Sequence, residues 1–194
     1  MIYLIYDTAL NGPYTFMLLQ QAYPVYQSMF KGTKDEALSD VAPYLFEIDE
    51  LLFEKVTGPL VSLKAILVMQ SGDSMEKLCL HFKNFIYQTI NGRENYLRFW
   101  DARVLNKILP EWTPEKTQDF FEDILSFSFI NEEDDTAVRL IMLHGKLQKM
   151  KIHRNELFGS PIATGEPNQQ SVKAEVEDKM NVQKPRPTRR FFYE

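Results

Sequence analysis

Cysteine is almost missing: Cys79 is the one thiol in 194 residues. No intrachain disulfide can form, and no cysteine-based metal site can be assembled. Histidine is nearly as scarce, and His81, His144 and His153 show no paired metal-ligand spacing. A basic excess is lacking too. Lys and Arg number 22 against 27 Asp and Glu, for a net charge of −5, so nothing favours wrapping a nucleic acid backbone. No apolar run approaches the roughly 20 residues that span a bilayer. The opening MIYLIYDTALNGPY is apolar for only a few residues, has no basic start, and is interrupted by Asp7. It is therefore expected to be a strand, not a signal peptide. No G-x-S-x-G, P-loop or glycine-rich dinucleotide motif occurs, and no internal repeat. These absences lead us to expect a cytoplasmic protein that binds no nucleic acid, membrane, metal or cofactor.

What is present is an ordinary globular composition, 44% hydrophobic and 25% charged. Apolar residues 2–6 and 65–69 have the length of buried strands. A short helix is expected over 15–22, a strand over 26–30, a polar helix-permissive stretch over 34–40, a strand over 44–48 and a helix over 49–55. Thr57-Gly58-Pro59 then breaks the chain. From Met75, the apolar positions Leu78, Cys79, Phe82, Phe85, Ile86 and Ile90 recur at helical spacing, with Asp73 and Glu76 as an acidic capping box. A strand–helix–strand unit with a right-handed crossover is expected over 65–100. Thr113 caps a helix that starts at Pro114 and runs to Phe121. Residues 125–130 alternate Leu, Phe and Phe with Ser and Ile, the period of a half-buried strand. Residues 137–143 and 147–152 flank His144-Gly145 as a hairpin. From about residue 160, Gly, Pro, Gln, Asn and Lys dominate, as in a disordered tail. That tail ends in the basic, aromatic KPRPTRRFFY. The expected architecture is mixed α+β, a single sheet flanked by helices. Residues 1–125 are expected to form the main domain, 126–159 a C-terminal β-hairpin extension and 160–194 a disordered tail.

The most informative stretch is 91–109, NGRENYLRFWDARVLNKIL. Asn91-Gly92 stops the preceding helix, residues 96–100 read as an aromatic strand, and Asp101 can cap the helix that follows. Strand alternation would put Arg98 and Trp100 on one face and Leu97 and Phe99, turned to the core, on the other.

Read with its neighbours, this segment resembles the effector-adaptor chaperones of bacterial type VI secretion, the Tap or Tec type. Their strand ending Arg-Phe-Tyr-Asp-Pro-Arg-Val-Leu stands here as Arg98-Phe99-Trp100-Asp101-Ala102-Arg103-Val104-Leu105. Upstream, Ser71 and His81-Phe82-Lys83 are similar to the family's serine turn and amphipathic helix. Downstream, Leu109-Pro110 and Phe120-Phe121 match its Leu-Pro and paired phenylalanines, and Tyr6-Asp7-Thr8-Ala9 matches an Asp-x-Ala strand end. Phe30-Lys31-Gly32 and Ala42-Pro43-Tyr44-Leu45 also fall in register. The likeness covers about residues 2–124. Ala102 replaces a proline, and Glu122-Asp123 stands in place of Gly-Pro. The resemblance implies a non-enzymatic role: binding a secreted toxin effector, often at its N-terminal region, and helping load it onto the valine–glycine-repeat spike protein.

Two other readings compete. Asp7 at the end of an apolar strand is similar to the nucleophile of haloacid-dehalogenase-type phosphotransferases, but Ala9 occupies the place of their second acid; Asp7 reads better as a turn or capping residue. A structural part in a secretion assembly is the third. Within the 91–109 segment, Arg98, Asp101 and Arg103 can form a charge-assisted network that holds the corner. Alternatively, Arg98, Trp100 and Arg103 reach a partner, since Arg and Trp are enriched at binding hot spots. Cys79, on the apolar helix face, reads as a buried small hydrophobe.

Overall fold

The computed structural model describes residues 1–48, 67–90, 92–131, 136–153 and 156–157. Residues 1–161 form one compact unit. The helix expected over 49–55, the breaker at 57–59 and the tail from 160 lie outside the described residues.

The fold is mixed α+β, built on a seven-stranded antiparallel sheet. In chain order, strand β1 (Ile2–Asp7) leads into helices α1 (Thr8–Asn11) and α2 (Pro13–Ala22), then β2 (Tyr26–Ser28) and β3 (Pro43–Ile48). Strand β4 (Leu67–Ser71) precedes helix α3 (Met75–Ile86) and the strands β5 (Tyr87–Ile90) and β6 (Arg93–Tyr96). Helices α4 (Ala102–Ile108) and α5 (Pro114–Phe120) flank a 3₁₀ turn at Leu109–Glu111. Strands β7 (Ile124–Asn131), β8 (Thr136–Leu143) and β9 (Lys146–Ile152) follow. The order across the sheet is β2-β3-β1-β4-β7-β8-β9, and β5-β6 is a separate two-stranded ribbon.

Strand alternation sorts the core into two layers. Tyr6, Tyr44, Phe46 and Tyr26 share one face through their paired register, and α2 covers it by seating Phe16 4.3 Å from Tyr44 and 5.8 Å from Phe46. On the other face lie Tyr3, Met69 and Phe127. Phe82 of α3 and Phe120 of α5 pack there, 6.3 and 5.6 Å from Phe127. Each fully buried side chain of this size contributes about 1.5–3 kcal/mol, so the aromatic layer under α3 and α5 is the main anchor of those helices. Met75, Leu78, Cys79, Phe82, Phe85 and Ile86 are all buried, as their spacing predicts.

Several expectations need correction. Among the described residues of 65–100 there is no parallel crossover: β4 pairs antiparallel with β1 and β7. An apolar run signals burial on both faces, and it says nothing about strand direction. The helix α3 ends at Ile86, and its cap is Ser74, whose Oγ accepts from the Lys77 N–H at 3.4 Å. Gly92, at φ 72°, turns the β5–β6 hairpin and does not terminate a helix. The aromatic strand lies earlier than expected, over Arg93–Tyr96. Residues 97–100 leave it in tight turns, with Phe99 N–H donating to the Leu97 carbonyl at 2.9 Å and Asp101 N–H to Arg98 at 3.0 Å. Strand 125–130 is not half-buried: Leu125 is exposed while Ser126 and Ser128 are buried. Arg139 Nε donates to Ser128 Oγ at 3.0 Å and also reaches the Glu156 carbonyl, so the serine face is covered by polar bonding. Finally, β8 and β9 extend the main sheet. The boundary expected at residue 125 would cut strand β7.

The hairpin turn itself is as the sequence predicts. His144 and Gly145 take φ 51° and 73°, the left-handed pair that matches the twist of two antiparallel strands.

Candidate functional site

Two aspartates end two short approaches to one corner. Asp7 is the last residue of β1 and the N-cap of α1, where its Oδ1 accepts from the Leu10 N–H at 3.2 Å. Asp101 is the N-cap of α4 and accepts from the Arg103 N–H at 3.0 Å. Each carboxylate leaves an otherwise orphaned helix N–H satisfied and sits at the positive end of a helix.

Arginines complete the corner. Arg98 Nη2 lies 2.7 Å from Asp7 Oδ2 and 3.9 Å from Asp101 Oδ2. Arg103 grips Asp101 with two prongs, Nε to Oδ1 at 3.0 Å and Nη2 to Oδ2 at 2.7 Å. The carboxylates are 2–3% exposed and the guanidinium side chains 45–46%. The corner therefore buries its negative charge and shows its positive charge to solvent. Burial alone would raise the Asp101 pKa, but hydrogen bonds from the Arg103 side chain and backbone, with the charges of Arg103 and Arg98, hold it below the ordinary 3.8. Arg103 also lines a shallow cleft with Val104, Lys107, Ile108 and Glu111.

The structure thus gathers Asp7, Arg98, Asp101 and Arg103 into one network, and Trp100 behind them. Trp100 is only 4% exposed. Its ring packs edge-on against Phe30 at 6.0 Å and Phe99 at 5.4 Å. The surface that Arg98 and Trp100 were expected to share does not form, because residues 97–100 turn instead of alternating. Trp100 is a core wedge that supports the corner from within.

The remaining singled-out residues are structural. Cys79 is buried, and burial pushes its thiol up to about 11. His81 holds Phe120: its Nε2 lies 3.1 Å from the Phe120 carbonyl oxygen. Among the described residues, no group of three or more His, Cys, Asp or Glu side chains is placed to hold a metal ion, and no helix is long and apolar enough to cross a membrane.

Sequence reasoning missed two features. One is the Asp7–Arg98 pair, whose members share no local pattern. The other is an open groove of about 520 Å³ between the α4–α5 arm and the β8–β9 hairpin. Leu109 and Leu140 are buried at its base, while Trp112, Met142 and Leu147 are half-buried along it.

Residues 2–119, well over half of the chain, match the model of a family described as a domain of unknown function, DUF4123. The chain belongs to the DUF4123 family. The DUF4123 stretch holds the whole charged corner and the α4–α5 arm of the groove, whereas β7, β8 and β9 lie beyond it. No curated protein and no solved structure matches the chain.

Proposed function

We propose that this DUF4123 protein is an adaptor that binds a type VI secreted toxin effector and helps load it onto the valine–glycine-repeat spike. It acts by stoichiometric binding, without turnover. The observation that carries this reading is the corner itself. Two of the stretches that resemble the adaptor-chaperone family, the end of β1 and residues 98–105, converge there, with Arg98 and Arg103 half-exposed beside buried carboxylates. Half-exposed guanidinium groups held in fixed orientation suit recognition of a partner's carboxylate or carbonyl oxygens.

A phosphotransferase built on Asp7 has less support. Both of its carboxylate oxygens are engaged, one with the Leu10 N–H and one with Arg98, and Ala9 offers no second acid. Arginine stays charged at any working pH and cannot relay a proton.

The test is co-expression with candidate type VI toxin and spike proteins from the same genome. A stable complex with the toxin, weakened by Arg98→Ala and Arg103→Ala in protein that melts cooperatively, is the expected result. Absence of any complex would remove the reading, as would phosphatase activity lost in Asp7→Asn.

A further inference from the structure

The charge of this chain is unevenly distributed. The whole carries −5, yet residues 136–155 contain Arg139, Lys146, Lys149, Lys151 and Arg154 with no Asp or Glu. Residues 136–152 of that run fold as β8–β9, the outer hairpin of the sheet, with β9 at the edge. A basic ribbon on an acidic protein is a local electrostatic feature that opposes the net field. Lysines on an edge strand also discourage sheet-to-sheet aggregation. That role explains lysines anywhere along the edge; it does not explain their position beside an apolar groove.

The groove binds these facts together. Among the described residues, its ionisable lining side chains are Lys146 and Lys149, and no carboxylate lines it. Lys149 spends one donor on Asn106 Oδ1 at 2.8 Å, while neither lysine has an ion-pair partner among the described residues. Trp112, Met142 and Leu147 leave apolar surface half-open between them. Lys116 extends the positive side, its Nζ 4.8 Å from the centre of the Trp112 ring. Open apolar surface bordered by unpaired cations fits a segment that carries both apolar side chains and carboxylates.

We propose that this groove receives an acidic amphipathic segment of the protein partner, with apolar side chains on Trp112, Met142 and Leu147 and carboxylates on Lys146 and Lys149. The identity of the partner as a secreted toxin rests on the adaptor reading; the chemistry of the segment does not. One wall, the α4–α5 arm, belongs to the DUF4123 stretch and the other lies outside it. The hairpin is thereby the element that fits this chain to its own partner.

Fluorescence anisotropy on the full chain tests this with three labelled probes: a Leu/Glu amphipathic peptide, its Leu/Lys counterpart and an oligouridylate. The acidic peptide is expected to bind best, less tightly at high salt. Lys146→Glu/Lys149→Glu should weaken it at least about tenfold, a loss of about 1.4 kcal/mol. Met142→Gln should weaken it at unchanged net charge. The charge-matched control Lys31→Glu/Arg93→Glu, at two positions outside the groove lining, should bind as the parent does. Equal binding of the two peptides, tighter binding of the oligouridylate, or indifference to the lysine reversal would overturn the proposal. If the parent captures its toxin and the lysine-reversed variant retains it equally, the groove is refuted and the adaptor reading survives. If the acidic peptide binds through the lysines in a protein that captures no toxin, the groove stands and the adaptor reading falls.

Discussion

Arg98 and Asp7 are 91 residues apart in the chain and 2.7 Å apart in the fold. Asp7 is buried and Arg98 half-exposed, so the two ends of the pair are not equivalent. Removing Arg98 leaves a buried carboxylate with, among the described residues, only the Leu10 N–H, whereas removing the Asp7 charge leaves a solvated guanidinium. Breaking a fully buried pair costs about 3–5 kcal/mol. Solvent at Arg98 reduces this, and Arg98→Ala is expected to destabilise by about 2 kcal/mol. Asp7→Asn should cost less, and the double variant less than the sum of the singles by about 1 kcal/mol. Urea unfolding of the four proteins measures the coupling. Additive losses would show that the pair contributes nothing as a pair.

Asp101 gives the corner a pH signature. Its pKa lies below the ordinary 3.8 in the folded state. A depressed carboxylate contributes stability that is fully present above the unfolded value. That contribution is lost as pH falls below 3.8 and through the folded value. Unfolding free energy should therefore drop on acidification in that window, and Asp101→Asn should flatten this part of the curve. At neutral pH, Asn retains the helix cap, so Asp101→Asn should cost less than Asp101→Ala, which is expected near 2 kcal/mol. Denaturant melts from neutral pH to below 3.8 check both statements.

Trp100 separates support from contact. It is 4% exposed and packs on Phe30 and Phe99. Trp100→Ala should destabilise by about 3–5 kcal/mol, through lost burial and the cavity left behind. Trp100→Phe keeps most of the ring contact and should fold with a milder loss and capture the partner like the parent. A Trp100→Phe protein that melts normally yet loses its partner would return Trp100 to the binding surface.

The sequence reveals the parts of this fold that depend on local chemistry. Caps at Asp101 and Thr113, the buried face of α3 and the His144-Gly145 turn all follow from side chains within a few residues of one another. What it hides depends on partners distant in the chain. Strand direction at β4 is decided by β1 and β7. Ser128 looks solvent-facing until Arg139, on the neighbouring strand, supplies a buried donor, and Ser126 until its hydroxyl donates to Gln70 Oε1. At the corner, the arginine–aspartate grouping within residues 98–103 is legible, since its members adjoin. Asp7 joins it only because β1 ends beside residue 98. The turns at 97–100 then override the alternation that an aromatic run otherwise implies, which is why Trp100 faces inward.

Asp123 holds a backbone conformation that most residues avoid. Its φ is 60°, in the left-handed region where a Cβ is unfavourable and where Asp is tolerated better than most non-glycine residues. Two interactions hold it there. Its carbonyl accepts from Ser71 Oγ at 2.7 Å, and its Oδ2 meets Lys77 Nζ at 2.8 Å. Its side chain is half-exposed, so solvent screening keeps the ion pair weak. Asp123→Gly loses that pair and relieves the strain, so its melting temperature is expected to stay close to the parent's. Asp123→Ala loses the pair and keeps the strain without the local polar compensation of Asp, and should melt clearly below both the parent and Asp123→Gly. Thermal melts of the two variants decide the matter. Equal losses would mean that the ion pair to Lys77, not the backbone, governs this turn, and Lys77→Ala would then reproduce them.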